Sequence, residues 1–301
     1  MEKLNITHCP ICGSNKLSEV TTCVDHYATG ETFALYECDI CHFRFTQNAP
    51  QEGEIGSYYE TPDYISHSDT RKGLMNKVYH YVRSYMLGHK ARLVIRTLRK
   101  LARGKLLDIG AGTGYFANEM AERGWEVTAA EKSEQARAFA QKEFGLHTLS
   151  PEDLQTLDDT SFDAITMWHV MEHIEHLNEE WEMLYRLLKP KGCLVIAVPN
   201  CSSADATLYK QYWAAYDVPR HLWHFTPDTM QRIAETHGFR MVRREPMPMD
   251  AFYISMLSEK YKGSRNYFIK GLLKGLKCYF KAQGHTERSS SVIYIFKKHK
   301  E

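Results

Sequence analysis

The second half of the chain alternates between two patterns of hydrophobic and polar positions. Apolar runs indicate buried strands at 105–110 and 193–200, and further strands at 125–131 and within 161–170. Apolar residues at helical spacing lie between them, at 115–124, 133–145 and 178–192. We expect Ser133 to cap the second helix, Gly124 to end the first, and Pro190 with Gly192 to stop the third. This alternation predicts an α/β fold around a mostly parallel sheet.

The remaining segments divide the chain into three predicted parts. Residues 1–48 are polar, with short β-like runs and paired cysteines, and form a small N-terminal module. Residues 49–104 form a linker and a helical segment, because apolar residues recur at helical spacing from Leu74 to about Arg103. Residues 105–301 form the core, which continues through a helix from about Thr226 and two strands at 239–245 and 291–298.

Composition narrows the class of protein. The chain is 43% hydrophobic and 25% charged, as in ordinary globular proteins, and its formal net charge of +1 gives no electrostatic case for nucleic-acid binding. The longest apolar runs fall short of the roughly 20 residues that span a bilayer. The N-terminus lacks the charged-then-apolar order of a signal peptide, so we expect a cytoplasmic protein.

Four of the eight cysteines form two CxxC pairs, Cys9 with Cys12 and Cys38 with Cys41, separated by 25 residues. Two such knuckles can place four thiolates around one tetrahedral ion, and in a reducing compartment this arrangement favours metal over disulfides. We therefore predict a structural Zn²⁺ site in a zinc ribbon, with chance pairing of reduced cysteines as the alternative. A closed four-sulfur site implies no chemistry of its own.

The stretch LLDIGAGTG, at 106–114, links a predicted strand to a helix. Its glycines let the backbone approach a ligand closely, at the strand ends where α/β sheets bind ligands. Glu131 ends the next strand, where an acid can accept hydrogen bonds from a ribose diol. A dinucleotide site would also need glycines, but Asp108 beside the loop is better suited to a ligand with a positive ammonium or sulfonium than to a pyrophosphate.

With these motifs, residues 105–200 resemble the core of class I S-adenosylmethionine-dependent methyltransferases. The resemblance implies a Rossmann-like sheet whose last strand is antiparallel, and S-adenosylmethionine as cofactor. It places Asp108 and the glycine turn against the methionine part and Glu131 on the ribose. The turn at 151–154 falls where the family flanks the adenine, although Ser150 replaces a frequent Asp there. The residues that the resemblance assigns to the cofactor are Asp108, Gly110, Ala111, Gly112, Gly114, Tyr115, Glu131, Lys132, Glu152, Asp153, Trp168 and His169.

Two histidine clusters are candidates for binding and deprotonating the acceptor. WHVMEHIEH, at 168–176, follows the fourth strand and resembles a segment of quinone-pathway O-methyltransferases, whose metal-binding Glu-x-x-Glu-His is changed here by His169. YDVPRHLWHFTP, at 216–227, resembles a segment of bacterial small-molecule and cell-surface-sugar methyltransferases. We predict His221 as the general base, with His224 or His169 as alternatives, and a packing and capping loop as the competing interpretation.

Two segments are strongly basic. Residues 71–105 contain eleven Lys or Arg and no acid, and residues 260–281 contain seven and no acid. The second segment predicts an amphipathic basic helix inserted at about 255–285. Either its apolar stripe is buried under a solvated basic face, or it is a lid or docking face for an anionic substrate, a membrane surface or a carrier protein.

The predicted function is therefore S-adenosylmethionine-dependent methyl transfer to a small, anionic metabolite or glycan precursor, such as a nucleotide-sugar. A zinc module before a methyltransferase core resembles sugar C-methyltransferases and some ribosomal RNA methyltransferases. Residues 1–48 carry twice as many acidic as basic residues, which argues against RNA and favours a module that closes over the substrate or mediates contacts in a homodimer. A module that binds cofactor or partners without catalysis is the other alternative.

Overall fold

The computed structural model describes residues 3–59, 74–98, 103–247 and 249–299, with the backbone alone for 74–81. Its central feature is a seven-stranded sheet in the order β12-β13-β10-β9-β6-β7-β8. These strands are β6 (Lys105–Ile109), β7 (Glu126–Ala130), β8 (Thr148–Leu149), β9 (Phe162–Trp168), β10 (Leu188–Pro199), β12 (Phe239–Pro246) and β13 (Ser291–Lys298).

The sheet is parallel from β8 to β10, and β13 runs antiparallel to both of its neighbours. The predicted α/β fold with a mostly parallel sheet and an antiparallel last strand is therefore confirmed. The core helices are α1 (Leu74–Thr97), α2 (Tyr115–Glu122), α3 (Glu134–Phe144), α4 (Leu177–Leu187), α5 (Ala204–Tyr209) and α6 (Pro227–Thr236). Two more helices, α7 (Asp250–Tyr261) and α8 (Tyr267–Ala282), precede β13.

Local capping follows the sequence at α3, where the Ser133 hydroxyl accepts a hydrogen bond from the amide of Ala136. The boundary predicted for the third helix was wrong. Helix α4 ends at Leu187, and residues 188–192 already belong to β10, where Leu188 pairs with Phe162. Pro190 has no amide hydrogen to continue a helix, and the register shifts between Leu188 and Cys193, so this segment is extended and irregular.

The N-terminal residues form a second sheet, of four strands in the order β11-β4-β3-β2. Strands β2 (Leu17–Val24), β3 (Thr32–Cys38) and β4 (Arg44–Thr46) belong to the predicted zinc ribbon, whereas β11 (Trp223–His224) comes from the core. A separate two-stranded pairing joins β1 (Lys3–Leu4) to β5 (Ala49–Pro50). The ribbon sheet is therefore completed by a strand from the core, more than 170 residues further along the chain.

One hydrophobic cluster runs through both sheets. It includes Ile11, Phe43 and Phe45 of the ribbon together with Met167 and Trp181 of the core. Buried apolar surface is the main stabilising contribution in a protein of this size, so the ribbon and the core share that contribution.

The basic insert is a helical hairpin rather than one helix, and it begins at Asp250. The predicted linker, at 49–104, and the basic segment at 71–105 fall partly on residues 60–73 and 99–102, which lie outside the described residues. Among the described helices, none is long and apolar enough to cross a membrane.

Candidate active site

The glycine turn lies between β6 and α2, as predicted. Gly110 has φ of +67°, and a Cβ there would lie 2.3 Å from Cγ2 of Val170. Gly112 has φ of +54°, with nothing within 4 Å of the position of a Cβ. L-residues rarely adopt such φ values, so both positions favour glycine. Because the space over Gly112 is open, a ligand can contact its backbone directly.

Glu131 is fixed at the edge of this turn by two backbone amides. Gly112 donates to its Oε2 at 2.8 Å, and Ser133 donates to its Oε1 at 2.8 Å. A carboxylate has about four lone-pair positions, so two remain for further donors. A ribose diol supplies two hydroxyl donors, and the geometry fits the role predicted for Glu131.

Asp108 lies under the turn at the carboxyl end of β6 and is buried. The hydroxyl of Thr166 donates to its Oδ1 at 2.7 Å. Burial raises the pKa of this carboxyl to about 7, against the opposing effects of Thr166 and Lys90. A positively charged ligand group beside Asp108 would favour the ionised carboxylate.

The other residues predicted for the cofactor lie in or directly after the turn itself, or at or just after the ends of β7, β8 and β9. The amide of Ala111 donates to the carbonyl of Ala130 at 3.0 Å. Lys132 pairs with Glu52 at 2.7 Å, and Asp153 accepts hydrogen bonds from the amide and hydroxyl of Ser150. Their cofactor contacts stay predictions, as do those of Gly114, Tyr115, Glu152 and Trp168.

His169 follows β9 with an unusual φ of +59° and lies between two carboxylates. Its Nε2 is 3.2 Å from Oδ2 of Asp250, and its Nδ1 is 3.3 Å from Oε1 of Glu172. Burial alone would lower the pKa of His169, but Asp250 and Glu172 outweigh burial and raise it to about 10. The two carboxylates favour the protonated imidazole, which has no free lone pair, so this geometry gives no support to the alternative prediction of His169 as the base.

Glu172, His173 and His221 form a cluster of possible metal ligands beside His169. Each can present one ligand atom within 4.8 Å of the others, so the three could hold a divalent cation. Apart from the contact with His169, the carboxylate oxygens of Glu172 have no hydrogen-bond partner among the described residues.

Both histidines are oriented by backbone carbonyls. Nδ1 of His173 is 3.0 Å from the carbonyl oxygen of Arg220, and Nδ1 of His221 is 2.9 Å from that of Ala215. A carbonyl oxygen only accepts, so each Nδ1 carries a hydrogen and each neutral ring keeps its lone pair on Nε2. Burial and the neighbouring His221 lower the pKa of His173 to about 4.

The loop 216–227 divides its polar residues between the site and the ribbon. His224 is buried, with Nε2 3.0 Å from the Thr46 hydroxyl, and burial lowers its pKa well below the ordinary value. Arg220 is also buried and pairs with Asp25 of the ribbon at 2.8 Å and with Asp217 at 2.7 Å. Arg220 and His224 thus have packing contacts with the ribbon, as the competing interpretation of this loop expects. Of the three residues, only His221 belongs to the group with Glu172 and His173.

The four paired cysteines come together as the spacing predicts. Their sulfurs lie within 4.8 Å of one another, with Cys9 to Cys41 at 3.4 Å and Cys12 to Cys38 at 3.5 Å. Tetrahedral zinc with Zn–S bonds of about 2.3 Å requires sulfurs about 3.8 Å apart, so the cluster fits Zn²⁺. Burial alone would raise the pKa of Cys38, but the amides of Cys41 and Ile40 point at its sulfur and bring it to about 7.

Sequence reasoning missed four partners of the site. Asp250 contacts His169 from the first turn of α7, and the ammonium of Lys90 lies 4.4 Å from the ring centre of Trp168. Tyr59 places its hydroxyl 3.1 Å from Nδ1 of His173. Thr166 could have been found as a polar residue within an apolar strand. The other three come from distant segments that contain no motif.

Comparisons with known proteins agree with this geometry. A family model described as a methyltransferase domain matches residues 80–244, more than half of the chain. The ubiquinone biosynthesis O-methyltransferase of Rickettsia typhi is 26% identical over 231 residues, which cover 67% of this chain and 92% of that protein. Its counterpart from Alkalilimnicola ehrlichii is 31% identical over 114 residues, 36% of this chain and 46% of that protein.

Among solved structures, a Galdieria sulphuraria protein provisionally named as a sarcosine dimethylglycine methyltransferase covers 74% of this chain and 88% of its own. Its TM-score is 0.51 at 14% sequence identity, a similarity of fold alone. The family match, the sheet order and the glycine turn lead to one conclusion: the chain belongs to the methyltransferase domain family and is a class I S-adenosylmethionine-dependent methyltransferase.

Proposed function

We propose that the enzyme transfers the methyl group to a hydroxyl of a small, anionic metabolite or glycan precursor, such as a nucleotide-linked sugar. The observation that carries the proposal is the group of Glu172, His173 and His221, whose ligand atoms meet within 4.8 Å of one another in the segments that follow β9 and β10. The names of the curated relatives support an oxygen acceptor, since both are O-methyltransferases.

His221 is the proposed general base. With its Nδ1 hydrogen directed at the Ala215 carbonyl, its Nε2 lone pair can accept the hydroxyl proton as the oxygen attacks the methyl carbon. Bound S-adenosylmethionine would supply the methyl carbon and, as the carbon–sulfur bond breaks, a neutral thioether as the leaving group. Oδ2 of Asp217 lies 3.8 Å from Nε2 and would stabilise the imidazolium that forms.

His169 helps to orient Glu172 beside the proposed base. It lies next to Trp168 at the end of β9, and its ring is held between the carboxylates of Glu172 and Asp250. Glu172 would then pair with His169 and leave His221 to take the proton.

The test is a labelled-methyl screen of nucleotide-sugars and small organic acids, followed by His221→Ala with the best acceptor. We expect turnover to fall by about 10²- to 10⁴-fold while S-adenosylhomocysteine binding is unchanged. His285→Gln, at an exposed histidine away from this group, is the matched control.

Two results would contradict the proposal. Normal turnover by His221→Ala would remove His221 from the role of base. Turnover that depends on added Mg²⁺ or Mn²⁺ would instead assign Glu172, His173 and His221 to a catalytic cation.

A further inference from the structure

Helix α8 has three distinct faces, and two of them are directed away from the protein. Its inner face consists of small residues: Gly271, Gly275 and Cys278 are the ones that are buried. A Cβ at Gly271 would lie 2.4 Å from Cα of Met256, and one at Gly275 would lie 2.8 Å from Cα of Phe252. The backbones of α7 and α8 are therefore in direct contact, and this contact fixes which face of α8 is turned inward.

The outer face is apolar and exposed. Six large side chains, each between 40% and 63% exposed, follow helical spacing along it: Phe268, Ile269, Leu272, Leu273, Leu276 and Phe280. The interpretation of these residues as a buried stripe was therefore wrong. Soluble proteins seldom expose so many large apolar residues on one contiguous face unless another surface covers it.

The third face is basic. Lys270, Lys277 and Lys281 are exposed along one side of the apolar face, and Lys262 and Arg265 are exposed just before the helix. Lys274, on the same side, pairs with the buried Glu259 of α7 and holds the hairpin together. No acid lies between residues 260 and 281 to balance these charges.

We propose that α8 docks the enzyme on the surface of a membrane that contains anionic lipid. The helix lies parallel to the bilayer, with its apolar face among the acyl chains and its basic face at the phosphate level. Sixteen residues give a contact about 24 Å long. Each exposed lysine near an anionic surface contributes about fivefold to partitioning.

Charge complementarity selects this occupant over a second copy of the chain. A second copy of the same face would present the same basic residues, with no acid in the segment to meet them. An anionic bilayer offers apolar and negatively charged surface along the whole helix. The hairpin also begins at the active site, because Asp250, the first residue of α7, contacts His169.

The experiment is flotation of the full, metal-loaded chain with two kinds of vesicle, phosphatidylcholine alone and phosphatidylcholine mixed with phosphatidylglycerol. We expect association with the anionic vesicles, which weakens as salt is raised. Ile269→Glu with Leu273→Glu should reduce the bound fraction at least about tenfold, because two exposed apolar anchors are lost. The double variant Lys270→Gln with Lys277→Gln should reduce binding to the anionic vesicles and leave any binding to phosphatidylcholine vesicles unchanged.

Val20→Glu is the matched control, since Val20 is 45% exposed on β2, far along the chain from the hairpin. It should bind vesicles as the unchanged protein does, and circular dichroism should show that every variant is folded. Absence of binding to anionic vesicles at low salt would overturn the proposal, as would equal binding by Ile269→Glu with Leu273→Glu. The proposal would also be overturned if the protein bound no vesicles and light scattering showed a dimer that Ile269→Glu with Leu273→Glu dissociates.

Discussion

At the scale of single residues, Glu131 has the most direct test of a cofactor role. Its two carboxylate oxygens accept hydrogen bonds from the amides of Gly112 and Ser133. These two bonds fix the carboxylate and leave its remaining lone pairs for a ligand. An amide side chain at this position would replace one acceptor with a donor and set it against a backbone N–H. The same change would also remove the charge that strengthens hydrogen bonds from a diol.

We therefore expect Glu131→Gln to raise the Kd for S-adenosylhomocysteine by about tenfold or more, since hydrogen bonds to charged groups are worth about 1.5–3 kcal/mol. Isothermal titration calorimetry measures this change. Glu134→Gln, at an exposed acid in the first turn of α3, should leave the Kd unchanged. Equal Kd values for the two variants would remove Glu131 from the cofactor site.

Arg220 connects the ribbon to the core through a buried ion pair with Asp25, and it also pairs with the half-buried Asp217 of its own loop. Replacing it by Met leaves two carboxylates without their cation, so Arg220→Met should lower the free energy of unfolding by about 3–5 kcal/mol at pH 7. Arg123→Met, which removes an i,i+4 surface pair with Glu119, should cost less than about 1 kcal/mol. Urea denaturation measures both.

The difference in unfolding free energy between the unchanged protein and Arg220→Met depends on pH in a definite direction. Burial would raise the pKa of Asp25, but the guanidinium of Arg220 and two backbone amides lower it below the ordinary value of 3.8. The stabilisation is therefore present above about pH 4 and is lost as the pH falls through the lowered pKa. The stability gap between the unchanged protein and Arg220→Met should shrink on acidification below pH 4. A gap that widened there would contradict this ion pair.

At the scale of elements, the four-cysteine ribbon and the loop that carries His221 are joined by hydrogen bonds. Thr46 of β4 donates from its hydroxyl to the carbonyl of His221 at 2.7 Å and from its amide to that of Leu222 at 2.9 Å. The next two residues are β11, the fourth strand of the ribbon sheet. The position of the proposed base is thus set by β4, the strand that follows Cys41 of the four-cysteine cluster.

Cys38→Ser should therefore abolish stoichiometric zinc binding and reduce turnover, although Cys38 takes no part in methyl transfer. The control is Cys23→Ser, at a buried cysteine of the same ribbon that lies outside the four-sulfur cluster. Metal content by atomic emission and turnover with a labelled methyl group measure the two effects. Loss of zinc with full activity would show that the ribbon does not position His221.

Elements with strong local patterns could be predicted, and those fixed by tertiary contacts could not. The β6 turn was predictable because Asp108, Gly110 and Glu131 form a local motif between a strand and a helix. Strand β11 has two residues and no apolar alternation, so only its pairing with β4 makes it a strand. The carboxylate of Asp250 and the hydroxyl of Tyr59 could not be predicted for the same reason, because both residues are far in sequence from the histidines that they contact.

At the scale of the whole molecule, the hydrophobic core crosses the predicted boundary between ribbon and methyltransferase. Phe43 stacks against Trp223 with ring centres 5.9 Å apart and packs on Phe225 at 5.4 Å. The same cluster extends to Trp181 and the central strands. Removal of residues 1–59 would take away Phe43 and expose the rings of Trp223 and Phe225 to water.

We therefore expect the metal-loaded protein to unfold in a single transition. In a urea titration, release of zinc to a colorimetric chelator and loss of the far-ultraviolet circular dichroism signal should have the same midpoint. Zinc release at a clearly lower urea concentration would show that the ribbon unfolds separately from the core.

The fourth strand of the ribbon sheet has a consequence for the physiology of the cell. If the four cysteines hold Zn²⁺, we expect a cell starved of zinc still to synthesise the polypeptide, but the segment that carries the proposed base would lack its support. The amount of methylated product should then follow the trace-metal content of the growth medium, although zinc is absent from the chemical equation.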